Sequence, residues 1–246
     1  MPAPSERTIA KTVHVFVALC DNASQGIVPV PRRLGDGTDP ANNLYWGARY
    51  GVHTFLAKSA DWALQRSGEK PSHPVLERVV FRHKPTGGWL VADAYRGTAI
   101  REAIGVFLAA SAGNNQQTLP MGRALLGLHG NANLVVYVGH NGLMDFTVEQ
   151  PAHASSTNSR DAMVLACKSR PYFEQRLAAL GCRPVLLTTG FMAPEAYTLD
   201  AAAAGWLARE GPAAIRERAA QAYRKYQQCG LDAARKLFDC GAAPAR

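Results

Sequence analysis

The sequence predicts an α/β protein, a three-layer α/β/α sandwich with a mostly parallel central sheet. Short unbroken apolar runs, Leu-Val-Val-Tyr-Val at 134–138 and Met-Val-Leu-Ala at 163–166, have the length and β-branched content of strands covered on both faces. Amphipathic stretches separate such runs, and alternation of strand with helix builds parallel sheets through crossover connections. With 246 residues the chain is long enough to bury a sizeable core. We expect one α/β domain over 1–246, with a helical carboxy-terminal extension at 194–246 packed on it. No internal repeat is evident.

Taken in order, 12–19 is apolar and β-branched and reads as the first core strand. It ends in Cys20-Asp21-Asn22, where Asp and Asn are common turn residues. The stretch 23–43 is rich in Gly, Pro, Asp and Arg and reads as a long loop, of the kind that is commonly functional. Over 43–65, Leu44, Tyr45, Ala48, Val52, Phe55, Leu56, Ala60 and Leu64 recur at mostly helical spacing, with Asn42 or Asn43 as cap, so a helix is expected. Residues 78–82 read as a strand, and Thr86-Gly87-Gly88 turns into a hairpin partner at 89–92.

An amphipathic helix is expected at 99–110, where Ile100, Ala103, Ile104, Phe107 and Leu108 share a face. A polar loop at 111–117 and a short helical run at 121–128 follow. After the strand at 134–138, a small hairpin strand is expected at 144–148. A polar loop at 149–160, containing Ser155, Ser156, Thr157, Asn158 and Ser159, is expected to lie over the active edge. Beyond 163–166 come a helix at 173–180, a buried strand at 185–187 and a loop from Gly190 to Pro194. The remainder, 193–238, is alanine-rich and reads as helix broken near Gly211-Pro212 and Gly230.

Composition narrows the function. A content of 47% hydrophobic and 19% charged residues is that of an ordinary soluble globule. The net charge of +8 is dispersed rather than run together, so a nucleic-acid partner is not expected. No window is apolar enough to cross a bilayer, and the polar start MPAPSERTIAK has no signal-peptide core, so we expect a cytoplasmic protein without a membrane partner. Five cysteines, Cys20, Cys167, Cys182, Cys229 and Cys240, are odd in number and lack metal-ligand spacing. They predict free thiols in a reducing compartment, with neither metal nor cofactor. No G-x-S-x-G, P-loop or G-x-G-x-x-G word is present.

Two of the buried strands end in reactive side chains, His140 and Cys167. In an open parallel sheet the carboxyl ends of neighbouring strands share one edge, where ligands bind. A thiol near an imidazole is the minimum for nucleophilic acyl transfer, because the histidine can take the thiol proton and later protonate the leaving group. Gly139 and Gly142 flank the histidine and free the backbone to turn sharply.

These words carry a resemblance. Gly139-His140-Asn141-Gly142 followed by Asp145-Phe146, and Ala166-Cys167-Lys168-Ser169 after an apolar strand, resemble the caspase, legumain and gingipain clan of cysteine peptidases. Thr188-Thr189-Gly190 and Glu195-Ala196-Tyr197-Thr198 are similar to the legumain branch, which includes the GPI-anchor transamidase subunit. The resemblance implies a caspase-like fold and a cysteine endopeptidase that cleaves a peptide or protein through a His140-Cys167 dyad and an acyl-enzyme. It implies that Asn22 orients the histidine, with Asp21 as substitute. The oxyanion would be received by backbone amides of Cys167, Asn141 and Gly142.

For substrate binding the resemblance points to the loop after the first strand, with Asp21, Arg32, Arg33, Asp36 and Asp39, and to Thr189, Gly190 and Phe191. A basic side chain facing Asp21, Asp36 or Asp39 is one expectation. Two positions depart from the family: Asn141 stands where glycine usually follows the histidine, and Leu165 where asparagine-cleaving members carry an acidic residue. A catalytically silent relative that binds peptide in the same groove is the alternative.

Overall fold

A computed structural model describes residues 7–152 and 160–241 of the chain. It contains β1 (Thr8–Ala10), β2 (Thr12–Ala18), α1 (Val52–Lys58), β3 (Trp62–Glu69), β4 (Val75–His83), β5 (Trp89–Tyr95) and α2 (Ile100–Ser111). These are followed by β6 (Gln117–Met121), β7 (Ala124–Leu128), β8 (Leu134–Val138), β9 (Arg160–Leu165), α3 (Ser169–Ala179) and β10 (Cys182–Thr188). The chain ends in α4 (Ala196–Leu207), α5 (Pro212–Gln227), α6 (Leu231–Leu237) and β11 (Phe238–Asp239).

Among the described residues the main sheet has eight strands in the order β11-β10-β9-β8-β2-β5-β4-β3. The five from β10 to β5 are parallel. β4 and β3 extend one edge antiparallel, and β11 closes the other. Every residue of β2, β5 and β8 is buried. That is the physical meaning of their unbroken apolar runs: both faces of these strands are covered.

Alternation along β2 shows the two faces. Val13, Val15 and Val17 pack into a core with Trp46 and Leu56 and with Tyr197, Ala203, Ile215 and Ala219 of α4 and α5. Phe16 and Ala18 pack into a second core with Ile104 and Phe107 of α2 and Phe173 and Leu177 of α3. Helices therefore flank a mostly parallel sheet on both sides, and α4 and α5 supply much of one helical layer.

The structure corrects three local expectations. The helix expected over 43–65 forms only at Val52–Lys58, and Trp62 begins an edge strand. Asn43 is not a helix cap. It is fully buried, and its side chain bonds the backbone of Cys20 at both N–H (3.0 Å) and C=O (2.8 Å), holding 43–51 in turns. Trp62 instead meets Asp200 of α4 through its indole N–H at 2.6 Å.

The helix expected at 121–128 is a hairpin of β6 and β7, turned at Gly122 with φ +60° and completed by β1 pairing parallel to β7. Leucine-rich segments fit either period, and here pairing with distant 8–10 decides. The strand expected at 144–148 is absent: a 3-10 turn spans Gly142–Met144, and 145–148 is neither helix nor strand. Of the polar loop at 149–160, residues 153–159 lie outside the described part.

Candidate active site

The carboxyl ends of β2, β8, β9 and β10 lie side by side along one edge of the sheet. β2 and β8 are neighbours, while the strand after β2 in the parallel set, β5, lies on the other side of β2. The strand order thus reverses between β2 and β8, and the loops leaving them diverge to open a crevice, the usual ligand position in open α/β sheets.

His140 follows β8 through Gly139, whose φ is +147° and where a Cβ would stand 2.9 Å from the Ala18 carbonyl oxygen. Only glycine fits so close a pass. The buried Tyr137 hydroxyl donates to the His140 carbonyl at 2.8 Å and fixes the turn. The Gly142–Met144 turn then brings the chain back, so that Asp145 Oδ2 lies 2.6 Å from His140 Nε2. A carboxylate only accepts, so Nε2 is the donor in this contact and Nδ1 is the ring nitrogen left for another partner. Gly26 lies against Asp145, since a Cβ there would stand 2.8 Å from Oδ1.

Cys167 sits on a tight strand-to-helix turn. Lys168 adopts left-handed angles, φ +46° and ψ +41°, and α3 begins at the next residue. Lysine holds such angles only where its surroundings enforce them. The enforcement is visible: the Lys168 N–H donates to Gly190 O at 2.8 Å, and Ser169 Oγ donates to Val164 O at 2.9 Å while accepting the Thr188 N–H at 2.8 Å. The Thr188 hydroxyl closes the set on Ala166 O. Asn141 Nδ2 donates to Cys167 O at 2.8 Å, tying the histidine turn to the cysteine turn. The Met192 N–H approaches the Cys167 sulfur at 3.4 Å, and the thiol donates to Met192 O at 3.4 Å.

One cavity of about 390 Å³ reaches both groups. The loop after β2 contributes Ile27, Val28, Leu44 and Tyr45, and the histidine turn contributes Gly139, His140 and Met144. Cys167 and the loop after β10, with Phe191 and Pro194, form the opposite side.

The expected site residues distribute unevenly around it. His140, Cys167 and Phe191 line the cavity. Asn22 does not reach the imidazole: its amide bonds the backbone of Val30 with both ends, at 2.8 and 3.0 Å, and Asp145 holds the histidine instead. Asp21 is buried and accepts the N–H groups of Ala23 and Ser24. Asp36 is exposed and accepts both the backbone and hydroxyl of Thr38, which lowers its pKa. Asp39 accepts from Asn42.

Thr189 donates to Lys236 O, and Gly190 supports the cysteine turn through its carbonyl. Arg32 and Arg33 are exposed and, like Asn22, Asp21, Asp36, Asp39, Thr189 and Gly190, lie outside the lining. The Gly142 N–H is committed to His140 O at 3.0 Å, which removes it as an oxyanion donor and leaves the amides of Asn141 and Cys167 from the expected set. Sequence reasoning missed Asp145, Asn43 and Met192. A carboxylate five positions beyond the histidine, with a glycine between, was the one local sign of the first.

The group with metal-ligating chemistry among the described residues is His14, Asp93 and His129, whose ligand atoms lie within 4.8 Å of one another. The donors of His14 and Asp93 are committed, whereas His129 Nδ1 is buried without a hydrogen-bond partner. His14 accepts the His129 N–H at Nδ1 (2.9 Å) and meets Asp93 through Nε2 (3.1 Å), and Arg78 bonds both Asp93 oxygens at 2.6 and 2.7 Å. A divalent ion would have to displace the His14 proton beside a guanidinium, so His14, Asp93 and Arg78 suit a structural polar network. All five cysteines are free thiols, and no helix among the described residues is long and apolar enough to cross a membrane. No protein-family model, curated protein or solved structure matches the chain.

Proposed function

We propose that this protein is a cysteine endopeptidase of caspase-like fold, acting on a peptide or protein through Cys167 and His140. The observation that carries the reading is one cavity bounded by a thiol on an enforced turn and an imidazole whose other nitrogen is held by Asp145. Histidine after one parallel core strand and cysteine after its neighbour is also the arrangement that the motif resemblance implies.

His140 Nδ1 takes the thiol proton, and the sulfur attacks the peptide carbonyl carbon. The carbonyl oxygen becomes an oxyanion near the backbone N–H groups of the two turns. The C–N bond breaks as the imidazolium gives its proton to the leaving amine, and water then hydrolyses the thioester with His140 again as base. Asp145 keeps the reactive nitrogen in one tautomer and stabilises the imidazolium. The free thiols suit the cytoplasm as the place of action.

The committed Gly142 N–H favours a second reading, a silent protein that binds peptide without turnover. A peptide bearing an electrophilic carbonyl group separates the two. Covalent labelling at Cys167, lost in Cys167→Ala and in His140→Ala, is the expected result. Labelling that persists undiminished in His140→Ala would remove the dyad.

A further inference from the structure

The cavity beside Cys167 has mostly apolar walls, and they extend into solvent. Val28, Met144 and Phe191 are 86%, 36% and 67% exposed, and all three stand on the rim. Among the described residues only Ile9 and Leu64 are other large apolar side chains so exposed. Three of five on a single rim is a concentrated apolar patch, and such patches mark binding surfaces. Inside the rim, Leu44, Tyr45 and Pro194 continue the apolar lining.

Charge is scarce in the lining, and at the rim the Lys168 ammonium lies 4.3 Å from the centre of the Phe191 ring. Asp21, Asp36 and Asp39, the acids expected to receive a basic side chain, lie outside the lining. Glu195 is the one carboxylate within it, and it already accepts the Tyr197 hydroxyl at 2.9 Å and the Gln227 amide at 3.2 Å. These two donors belong to α4 and α5, so Glu195 anchors the loop after β10 to the helical layer. A volume of about 390 Å³ gives room for a long or aromatic side chain.

We propose that this cavity accepts a large apolar side chain of the substrate, aliphatic or aromatic, next to the bond presented to Cys167. The inference rests on the peptidase reading and names its substrate class. Val28 and Phe191 form the entrance and Tyr45 the inner wall. The ligand is held by removal of apolar surface from water, with Glu195 kept out of direct pairing.

Two measurements on the full chain test this. The first is cleavage of fluorogenic peptides that differ only at the residue on the acyl side of the bond: Leu, Met, Phe, Asn, Asp or Arg. The expected result is kcat/KM at least about tenfold higher for Leu, Met and Phe than for the others, the size of effect that burying one apolar side chain gives. Fastest cleavage after Arg, or after Asn or Asp, overturns the proposal and leaves the peptidase reading standing.

The second is fluorescence-polarisation binding of the Phe and Arg peptides to Cys167→Ala, with and without Val28→Asp. Val28 is on the surface, so the aspartate leaves the core intact. Expected are preferential binding of the Phe peptide and roughly tenfold weakening by Val28→Asp. If no peptide is cleaved but this binding pattern holds, catalysis is refuted and the apolar site remains. Binding of neither peptide, or no effect of Val28→Asp, refutes the apolar site.

Discussion

Among the described residues two places set an imidazole Nε2 against a carboxylate, and their surroundings are opposite. At the core, His14 and Asp93 have side chains 0% and 1% exposed, and Arg78 grips both carboxylate oxygens. At the carboxyl edge of the sheet, Asp145 is 40% exposed and holds His140, which lines a cavity beside a thiol. The inner imidazole has both nitrogens committed, so it can neither take nor give a proton without breaking the network. The outer one keeps Nδ1 in reserve. On the proposed peptidase reading, what separates a structural His-Asp pair from a chemical one is the state of the second nitrogen and its access to a ligand.

Changes that split this pair of pairs run from large to small. Cys167→Ala and His140→Ala should each lower kcat/KM by about 10³-fold or more at unchanged melting temperature, read by peptide cleavage and thermal denaturation. Asp93→Ala should do the reverse. Removing one partner from a buried ion pair leaves Arg78 uncompensated and costs about 3–5 kcal/mol of stability, read by urea unfolding. Asp145→Ala should cost about 10²-fold in kcat with little change in stability, and an equal loss of stability would make the outer pair structural as well.

Acid should act on the core group first. Burial, with the neighbouring His14 and Arg78 adding to it against the opposing Asp93, pushes His129 down to about 3, and burial likewise lowers His14. Between roughly pH 6.5 and 3 the unfolded imidazole binds a proton that the folded one refuses. The unfolded state then holds more protons, so stability is full above this window and falls as pH drops through it. Each imidazole contributes a slope of up to about 1.4 kcal/mol per pH unit. His129→Asn, with a residue that tolerates the φ of +51° found there, should flatten the urea midpoint between pH 7 and 5. The smallest effect belongs to Asp36→Asn, which should alter the cleavage profile by less than about twofold, because Asp36 is exposed and away from the cavity.

Much of the frame is legible in the residues. The apolar runs of β2, β8 and β10 and the amphipathic face of α2 record how many of their own sides are covered, which is a local property. The same periodicity misleads at 43–65 and 121–128. There Asn43 reaches back to Cys20, and β1 reaches across to β7, to impose structure that local pattern does not encode. The contrast repeats at the site. His140 and Cys167 stand out because each ends a buried strand, whereas the orienting role that the resemblance implies for Asn22 is not met, since its amide bonds the Val30 backbone.

The sequence by itself determined which segments are buried on both faces and which reactive side chains terminate them, since hydrophobic period and strand length are written along the chain. Tertiary structure alone decided the partner of the histidine and the apolar character of the cavity. Both depend on loops from the ends of separate strands meeting at one edge, and the hydrogen bonds that choose among Asn22, Asp21 and Asp145 exist only once those loops have met.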